Sequence, residues 1–418
     1  MAQNTTAEML KQAEVTWADG GTYPVLFAEK IFAEDDKHTA TLLRRVAGTD
    51  RPRMLIVADT NVVQYTEGLG TRIGQFIKDN NIALLAPPVV LLSGERAKSG
   101  TMSAVQKIIH TALDAKMAKN DILLVLGGGS VLDVANFAAT IICGGVKLVR
   151  VPTTPAAIID SAFATEAYLN SETVKDALRV PSHPAAVIID PAFCPTVLDG
   201  VWRAGVGALV RHAAVKDAEL MRDIAAVATK LRDRANSRAL MFGFLRRGAA
   251  SRIQNGDSDF ALWSAERLES MSDYKLPHGY AVGIGICIDT AYAVERRLLS
   301  ERDQEFICRA LADSGALDGL GPSRHLMTQI ESVLAGLDTL KLLTGREART
   351  LPVGVGECKV EDKADREAYR KVLHDFLTAT PRGRNARPLP GEARSAAKSP
   401  DKEAKSPDAK EAKAAQDA

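Results

Sequence analysis

The sequence predicts an α/β N-terminal domain followed by an α-helical C-terminal domain. Three observations predict it. Short apolar runs alternate with helix-periodic segments up to about residue 190. One apolar run, 122–126, leads straight into Gly127, Gly128 and Gly129. Beyond about residue 195 strand-like runs vanish, and helical periodicity dominates to about Leu377. Alternating strands and helices of these lengths imply a parallel sheet with helices on both faces.

Taken in order, 54–58 reads as a buried strand ending at Asp59, and 71–80 has helical spacing through Ile73, Phe76 and Ile77. A strand at 89–92 precedes an amphipathic helix at 103–116. The strand 122–126, a helix over 131–142 and the strand 148–151 follow. A last strand is expected at 186–190, before Pro191. Helices are then expected over 206–220, 223–245, 259–271, 281–299 and 365–377. The bounds that result are 21–194 for the α/β domain and 195–378 for the helical domain. An N-terminal extension covers 1–20 and a polar tail covers 379–418.

Composition narrows the function classes. The chain has 418 residues, 46% hydrophobic and 25% charged, with a formal net charge of +1. That length supports two sizeable cores. The balanced charge gives no general field for nucleic acid or a membrane surface. No apolar run approaches the roughly 18 residues of a membrane span. Residues 1–16 carry one lysine and no continuous apolar core, unlike a secretory signal. The five cysteines (Cys143, Cys194, Cys287, Cys308, Cys358) are scattered and form no CxxC pair. Reduced thiols in a cytoplasmic protein are the expectation. The tail repeats Lys398-Ser399-Pro400-Asp401 as Lys405-Ser406-Pro407-Asp408 and has no large apolar residue after Leu389. A solvated, disordered tail is expected, with partner binding as the alternative.

The glycine turn has the build of a dinucleotide-phosphate cradle. Glycines between strand and helix let a backbone approach a pyrophosphate, and the helix start offers N–H donors. Asp133 lies early in the following helix. The turn is Gly127-Gly128-Gly129-Ser130, not GxGxxG, so a tight turn without ligand stays open. Other polar groups follow other strands. Asp59 and Asn61 follow one, Glu95 and Lys98 another, and Thr153 and Thr154 a third. All would reach the carboxyl edge of the sheet, where open α/β sheets bind ligands.

As an ordered set these motifs resemble the dehydroquinate synthase-like sugar phosphate cyclases. The set comprises Asp59 to Asn61, Gly94-Glu95 with Lys98, the glycine turn with Asp133, Pro152-Thr153-Thr154 and Asp160. It continues with Ala204-Gly205 and Arg211, Pro277-His278-Gly279, and Leu351-Pro352-Val353-Gly354. The resemblance covers about residues 20 to 377. Its later segments look closest to the 2-epi-5-epi-valiolone synthase and desmethyl-4-deoxygadusol synthase branch. Iron-dependent alcohol dehydrogenases and glycerol-1-phosphate dehydrogenases, which share the fold and the glycine turn, are the nearest rivals. The resemblance implies NAD as cofactor, bound by Asp59, Asn61, Glu95, Lys98, Gly127, Gly128, Gly129, Asp133, Thr153 and Thr154. It implies Asp160, Lys175, Arg211 and His278 as catalytic residues, and a homodimer. The implied reaction oxidises a ring hydroxyl, eliminates phosphate, returns the hydride and closes a carbocycle, with a divalent metal polarising the oxygen.

The sequence departs from that pattern at the metal and at the phosphate. The family's metal ligands are one Glu and two His. Ala208 stands at the Glu position and Leu262 at the first His position, and only His278 remains. One imidazole is a poor zinc site, so a divalent metal is doubtful. Glu166 stands where the family has a lysine, Asp176 where it has Asn, and Arg211 where it has a lysine. A carboxylate in place of an ammonium repels phosphate. Several residues keep two readings. His278 is a relic ligand, a polar group at the cofactor or a helix-start histidine. His212 is a surface helix residue or part of a rebuilt site. Glu266 replaces a ligand or, with Asp259, forms a polar helix face. Trp17, Trp202 and Trp263 are read as packing residues.

Three functions follow. The first is a divergent cyclase homologue in carbocycle (cyclitol-type) metabolism, acting on a small sugar or cyclitol derivative. The second is a non-catalytic partner of an active cyclase. The third is an NAD-dependent polyol or alcohol dehydrogenase.

Overall fold

A computed structural model describes residues 12–16, 21–99 and 102–378. Trp17, the tail and most of the N-terminal extension lie outside the described residues. Residues 12–16 of that extension form an edge strand, so the sheet begins earlier than the sequence suggested.

The first part comprises β1 (Gln12–Thr16), β2 (Thr22–Phe27), α1 (Lys37–Ala47), β3 (Arg53–Asp59), α2 (Thr60–Tyr65), α3 (Leu69–Asp79), β4 (Ala83–Leu84) and β5 (Val89–Leu91). It continues with α4 (Ser103–Asp114), β6 (Ile122–Gly127), α5 (Gly129–Ile141), β7 (Lys147–Pro152), α6 (Pro155–Ile159), β8 (Glu166–Leu169), β9 (Leu178–Pro181) and β10 (Ala186–Ile189). The main sheet has the order β1-β2-β10-β7-β6-β3-β4, with β5 also paired to β3. Only the β1–β2 pair is antiparallel. Strand β6 is buried along its whole length, which is why it reads as an unbroken apolar run. Its alternate residues feed two cores. Ile122, Leu124 and Leu126 pack with Met54 and Ile56 under α1 and α3. Leu123 and Val125 pack with Leu55 and Val57 under α4 and α5.

From β3 the chain passes to β4 and β5 on one side, and from β6 it passes to β7 on the other. The β3–β6 junction is thus the topological switch point, where a crevice opens at the strands' carboxyl ends. Asp59 and Gly127 end those two strands.

The second part is α7 (Asp199–Lys216), α8 (Ala218–Leu231), α9 (Arg238–Asn255), α10 (Leu262–Met271), α11 (His278–Glu295), α12 (Glu301–Ser314), α13 (Leu320–Met327), α14 (Ile330–Thr344), β11 (Arg349–Gly354), β12 (Glu357–Glu361) and α15 (Arg366–Thr378). Two sequence expectations are corrected here. Strands do not vanish after residue 195, because β11 and β12 form an antiparallel hairpin. Residues 223–245 are not one helix. Asp233 accepts the backbone N–H of Ala235 and Asn236 and ends the run in a turn before α9. The helical core includes Val25, Phe27, Val187 and Ile189 of the sheet, so the two parts share buried surface.

Candidate functional site

One cavity of ≈ 1060 Å³ lies between the carboxyl edge of the sheet and helices α7, α9, α10 and α11. Asp59, Asn61, Glu95, Lys98, Gly128, Gly129, Asp133, Thr153 and Thr154 line it. So do Asp160, Lys175, Arg211 and His278. Gly127 does not line it. A Cβ there would sit 2.7 Å from the Cβ of Val131, so this glycine lets the strand turn into α5.

The turn is built for close backbone approach. A Cβ on Gly128 would lie 3.1 Å from Cγ2 of Thr154, and one on Gly129 2.7 Å from Oγ of Ser161. No side chain caps the start of α5, so its first N–H groups remain available beside the cavity. The Thr153 hydroxyl is buried without a partner. Asp59 is held by the N–H of Asn61 (2.8 Å) and by the Ser93 hydroxyl. The bare helix N-terminus and the orphaned Thr153 hydroxyl together fit a dinucleotide, with Gly128 and Gly129 packed against Thr154 and Ser161.

Next to the turn lies a dense ionic cluster. Lys98, 5% exposed, contacts Asp133 at 2.8 Å, Asp176 at 2.5 Å and Glu95 at 3.1 Å. Three carboxylates around one ammonium over-neutralise it. Burial would lower the Lys98 pKa, but Asp133, Asp176 and Glu95 push it well up. Burial raises Asp133 to about 6 against the pull of Lys98. Glu95 is also held by the Ser130 hydroxyl at 2.9 Å. Burial would raise it, yet Lys175, Lys98 and Ser130 keep it well below the usual carboxylate range.

Lys175 pairs with Glu269 at 2.9 Å, and Glu269 in turn meets Nδ1 of His278 at 2.7 Å. Burial opposes the charged form of His278, but Glu269 outweighs it and raises the pKa. His278 is the first residue of α11. On the far wall Arg211 meets Asp160 at 2.5 Å and Asp257 at 3.5 Å, and Arg252 meets Asp257 at 2.6 Å. Glu266 lines the cavity one turn before Glu269. Burial, with Asp176 and Glu269 adding to it and Lys175 opposing, raises its pKa to about 7.

Several sequence expectations need correction. His212 is not a surface residue: it is 2% exposed and its Nε2 meets the Ser251 hydroxyl at 3.0 Å. Glu166 does not line the cavity, and pairs with Arg179 at 3.8 Å, so it does not face a phosphate there. Asp259 does not share a helix face with Glu266. It precedes α10 and accepts the N–H of Thr350 at 2.8 Å. Trp202 is buried with its indole N–H on Leu231 O, as a packing residue would be. Trp263 lines the cavity while its N–H donates to Asp289 at 2.9 Å.

Sequence reasoning missed Glu269, Arg252, Asp257 and the role of Asp176. Glu269 was findable, because it lies three residues after Glu266 and shares its helix face. The Asp176–Lys98 contact spans 78 residues and leaves no local signal.

The residues present do not fit a metal. Ala208 is fully buried and does not line the cavity, and Leu262 offers only hydrocarbon. The Nδ1 of His278 is engaged by Glu269, which leaves Nε2 as its one ligand atom and no second imidazole beside it among the described residues. Among the described residues no group of three or more His, Cys, Asp or Glu is placed to hold a metal ion.

Comparison with known proteins agrees with the motif order. Residues 88–203 match the family model for the 3-dehydroquinate synthase N-terminal region. A 3-dehydroquinate synthase from Nostoc sp. is 27% identical over 299 residues, covering 68% of this chain and 81% of its own. The fold is that of a 2-epi-5-epi-valiolone synthase from Streptomyces hygroscopicus solved with NAD+ and Zn2+ bound (TM-score 0.73, 22% identity, 87% of this chain and 98% of that one). It is also that of a 2-deoxy-scyllo-inosose synthase complexed with carbaglucose-6-phosphate, NAD+ and Co2+ (TM-score 0.70, 16% identity, 87% and 99%). Residues 88–203 are thus similar to the 3-dehydroquinate synthase N-terminal region, and the chain shares the fold of these solved sugar phosphate cyclases.

Proposed function

We propose that this chain is a divergent cyclase homologue that binds NAD and acts on a small polyol in carbocycle (cyclitol-type) metabolism, without the metal of its relatives. One observation carries this: the glycine turn and the ionic cluster form one wall of a cavity whose other walls hold Lys175, Arg211 and His278. The start of α5 with Gly128 and Gly129 would receive the pyrophosphate, and Asp59 would accept ribose hydroxyls. NAD, when bound, supplies a hydride acceptor. Lys98, fixed by three carboxylates, orients the cluster beside it. Glu266 has a pKa close enough to neutrality to take or give a proton at a substrate hydroxyl. No step is assigned to a metal.

Titration of the full chain with NADH, followed by cofactor fluorescence, tests this. Saturable binding at one site per chain is expected. Gly129→Val, which drives a side chain toward Ser161, should abolish it while leaving the fold intact by circular dichroism. Failure of the unaltered chain to bind NADH or NAD+ would sink the proposal.

A second reading is favoured by the hydrocarbon side chains of Ala208 and Leu262. In it the chain binds cofactor but turns nothing over, and serves an active cyclase as a partner. Copurification with such a cyclase, with no reduced cofactor formed on any polyol, would support it. Reduced cofactor together with a released ketone would instead mark a dehydrogenase.

A further inference from the structure

The charge inventory of the cavity narrows its ligand. Nine carboxyl groups line it, against six ammonium or guanidinium groups. Every one of those six cations has a carboxylate within 4 Å. A phosphate ester entering here would find every lining cation already met by a carboxylate, and Lys98, Lys175 and Arg211 held in buried pairs. Breaking such a pair is costly because it strands a charge.

Acceptors, by contrast, are left over. The carboxyl of Glu266 has no hydrogen-bond or ion-pair partner among the described residues, although Asp176, Glu269, Lys175 and Arg179 all act on it through space. One oxygen of Asp160 is taken by Arg211, and the other is buried without a donor. The unpaired donors on this wall are the Nε hydrogens of Arg211 and Arg252. They belong to guanidinium groups already met by Asp160 and Asp257.

We propose that the part of the cavity facing α7 and α10 takes a polyol bearing a protonated amine and no phosphate, with Glu266 receiving the ammonium and Asp160 a hydroxyl. This rests on the cavity being the substrate site, and deepens that assignment by naming the ligand's charge. An ammonium brings the missing positive charge and supplies donors to acceptors that lack them.

The test uses three compounds on one carbon skeleton: 1-amino-1-deoxysorbitol, sorbitol and sorbitol 6-phosphate. Their affinities for the full chain are measured by calorimetry, with and without NADH. The amine is expected to bind at least about tenfold tighter than the phosphate, with sorbitol between them. Glu266→Gln should remove most of the amine's advantage over sorbitol, and Glu266→Asp should keep part of it. A phosphate that binds as well as the amine would overturn the proposal. So would three equal affinities, including no binding by any of them. NADH binding is read separately. Its failure would sink the cofactor assignment and leave the amine-over-phosphate order to be decided in the cofactor-free protein.

Discussion

Glu266 turns burial into a measurable pH dependence. Its pKa rises from 4.5 to about 7 in the folded chain, mainly through burial. The folded state therefore holds that proton more tightly than the unfolded one. The stability tied to the protonated form is complete below about pH 4.5 and is lost as pH rises through about 7. Glu266→Gln removes the dependence. The variant is expected to lie within about 1 kcal/mol of the parent at pH 5 and to exceed it by up to roughly 3 kcal/mol at pH 8. Denaturant midpoints at the two pH values check this, and identical differences at both would refute it. His212 works in the opposite sense. Burial, with Arg211 and Arg252 adding to it, holds its imidazole down to about 4. The stability of the neutral form is present above about pH 6.5 and fades as pH falls toward 4. An acid limb that stays flat over that range would contradict a buried neutral His212. The sequence misleads at this residue for a physical reason. Arg211 beside it suggests a polar helix face, but α7 has none, because residues 204–215 are all buried.

Helices α7 and α11 approach so closely that backbone, not side chain, forms their contact. A Cβ on Gly279 would lie 2.1 Å from Ala204 O, and one on Gly207 2.5 Å from Gly279 O. Gly279→Ala is therefore expected to cost about 2–3 kcal/mol, as overpacking against unyielding backbone does. Gly243 in α9 has nothing within 4 Å, so Gly243→Ala should instead gain up to about 1 kcal/mol from helix propensity alone. Chemical denaturation of the two variants decides the matter, and equal effects would show that the α7–α11 contact is looser than described. Elements of this kind differ in how far sequence exposes them. Strands β3, β6 and β7 are legible because burial on both faces demands continuous apolar runs. Hairpin β11–β12 is not, because Pro352 and Gly354 sit at a register shift inside it and read as a loop. Strands β8 and β9 span four residues each, too short for a period to show, yet the loop between them delivers Lys175 and Asp176 to the site. The glycine turn and the polar strand ends are thus readable from the sequence, whereas the pairings of Lys98 with Asp176, Lys175 with Glu269 and Arg211 with Asp257 depend on contacts between distant segments.

Across the whole molecule, the glycine turn and its ionic cluster face helices on which Ala208 and Leu262 stand where the resemblance would place metal ligands. His278, the histidine that the resemblance leaves in place, belongs to an ionic network. Nδ1 of His278 meets Glu269, and Glu269 also holds Lys175 in the same buried cluster. Recruiting zinc here would need about three protein ligands. Glu269, to serve as one of them, would have to leave Lys175, which would then keep only the longer 3.7 Å contact with Glu95. The full chain, incubated with zinc, cobalt or manganese in the presence of NAD+ and then freed of loose ions, is therefore expected to retain well under one metal per chain by mass spectrometry. Retention of one tightly held ion would mean that His278 has gained new ligands, with Glu269 or Glu266 as the available carboxylates. Glu269→Gln and Glu266→Gln would then separate them, since the ligand's loss should release the ion and the other's should not. Without retained metal, the alkoxide formed during any oxidation at this site has only protein groups to stabilise it. On the proposed function, Glu266, raised by burial to about 7, is then the lining group best matched to proton transfer at a substrate hydroxyl.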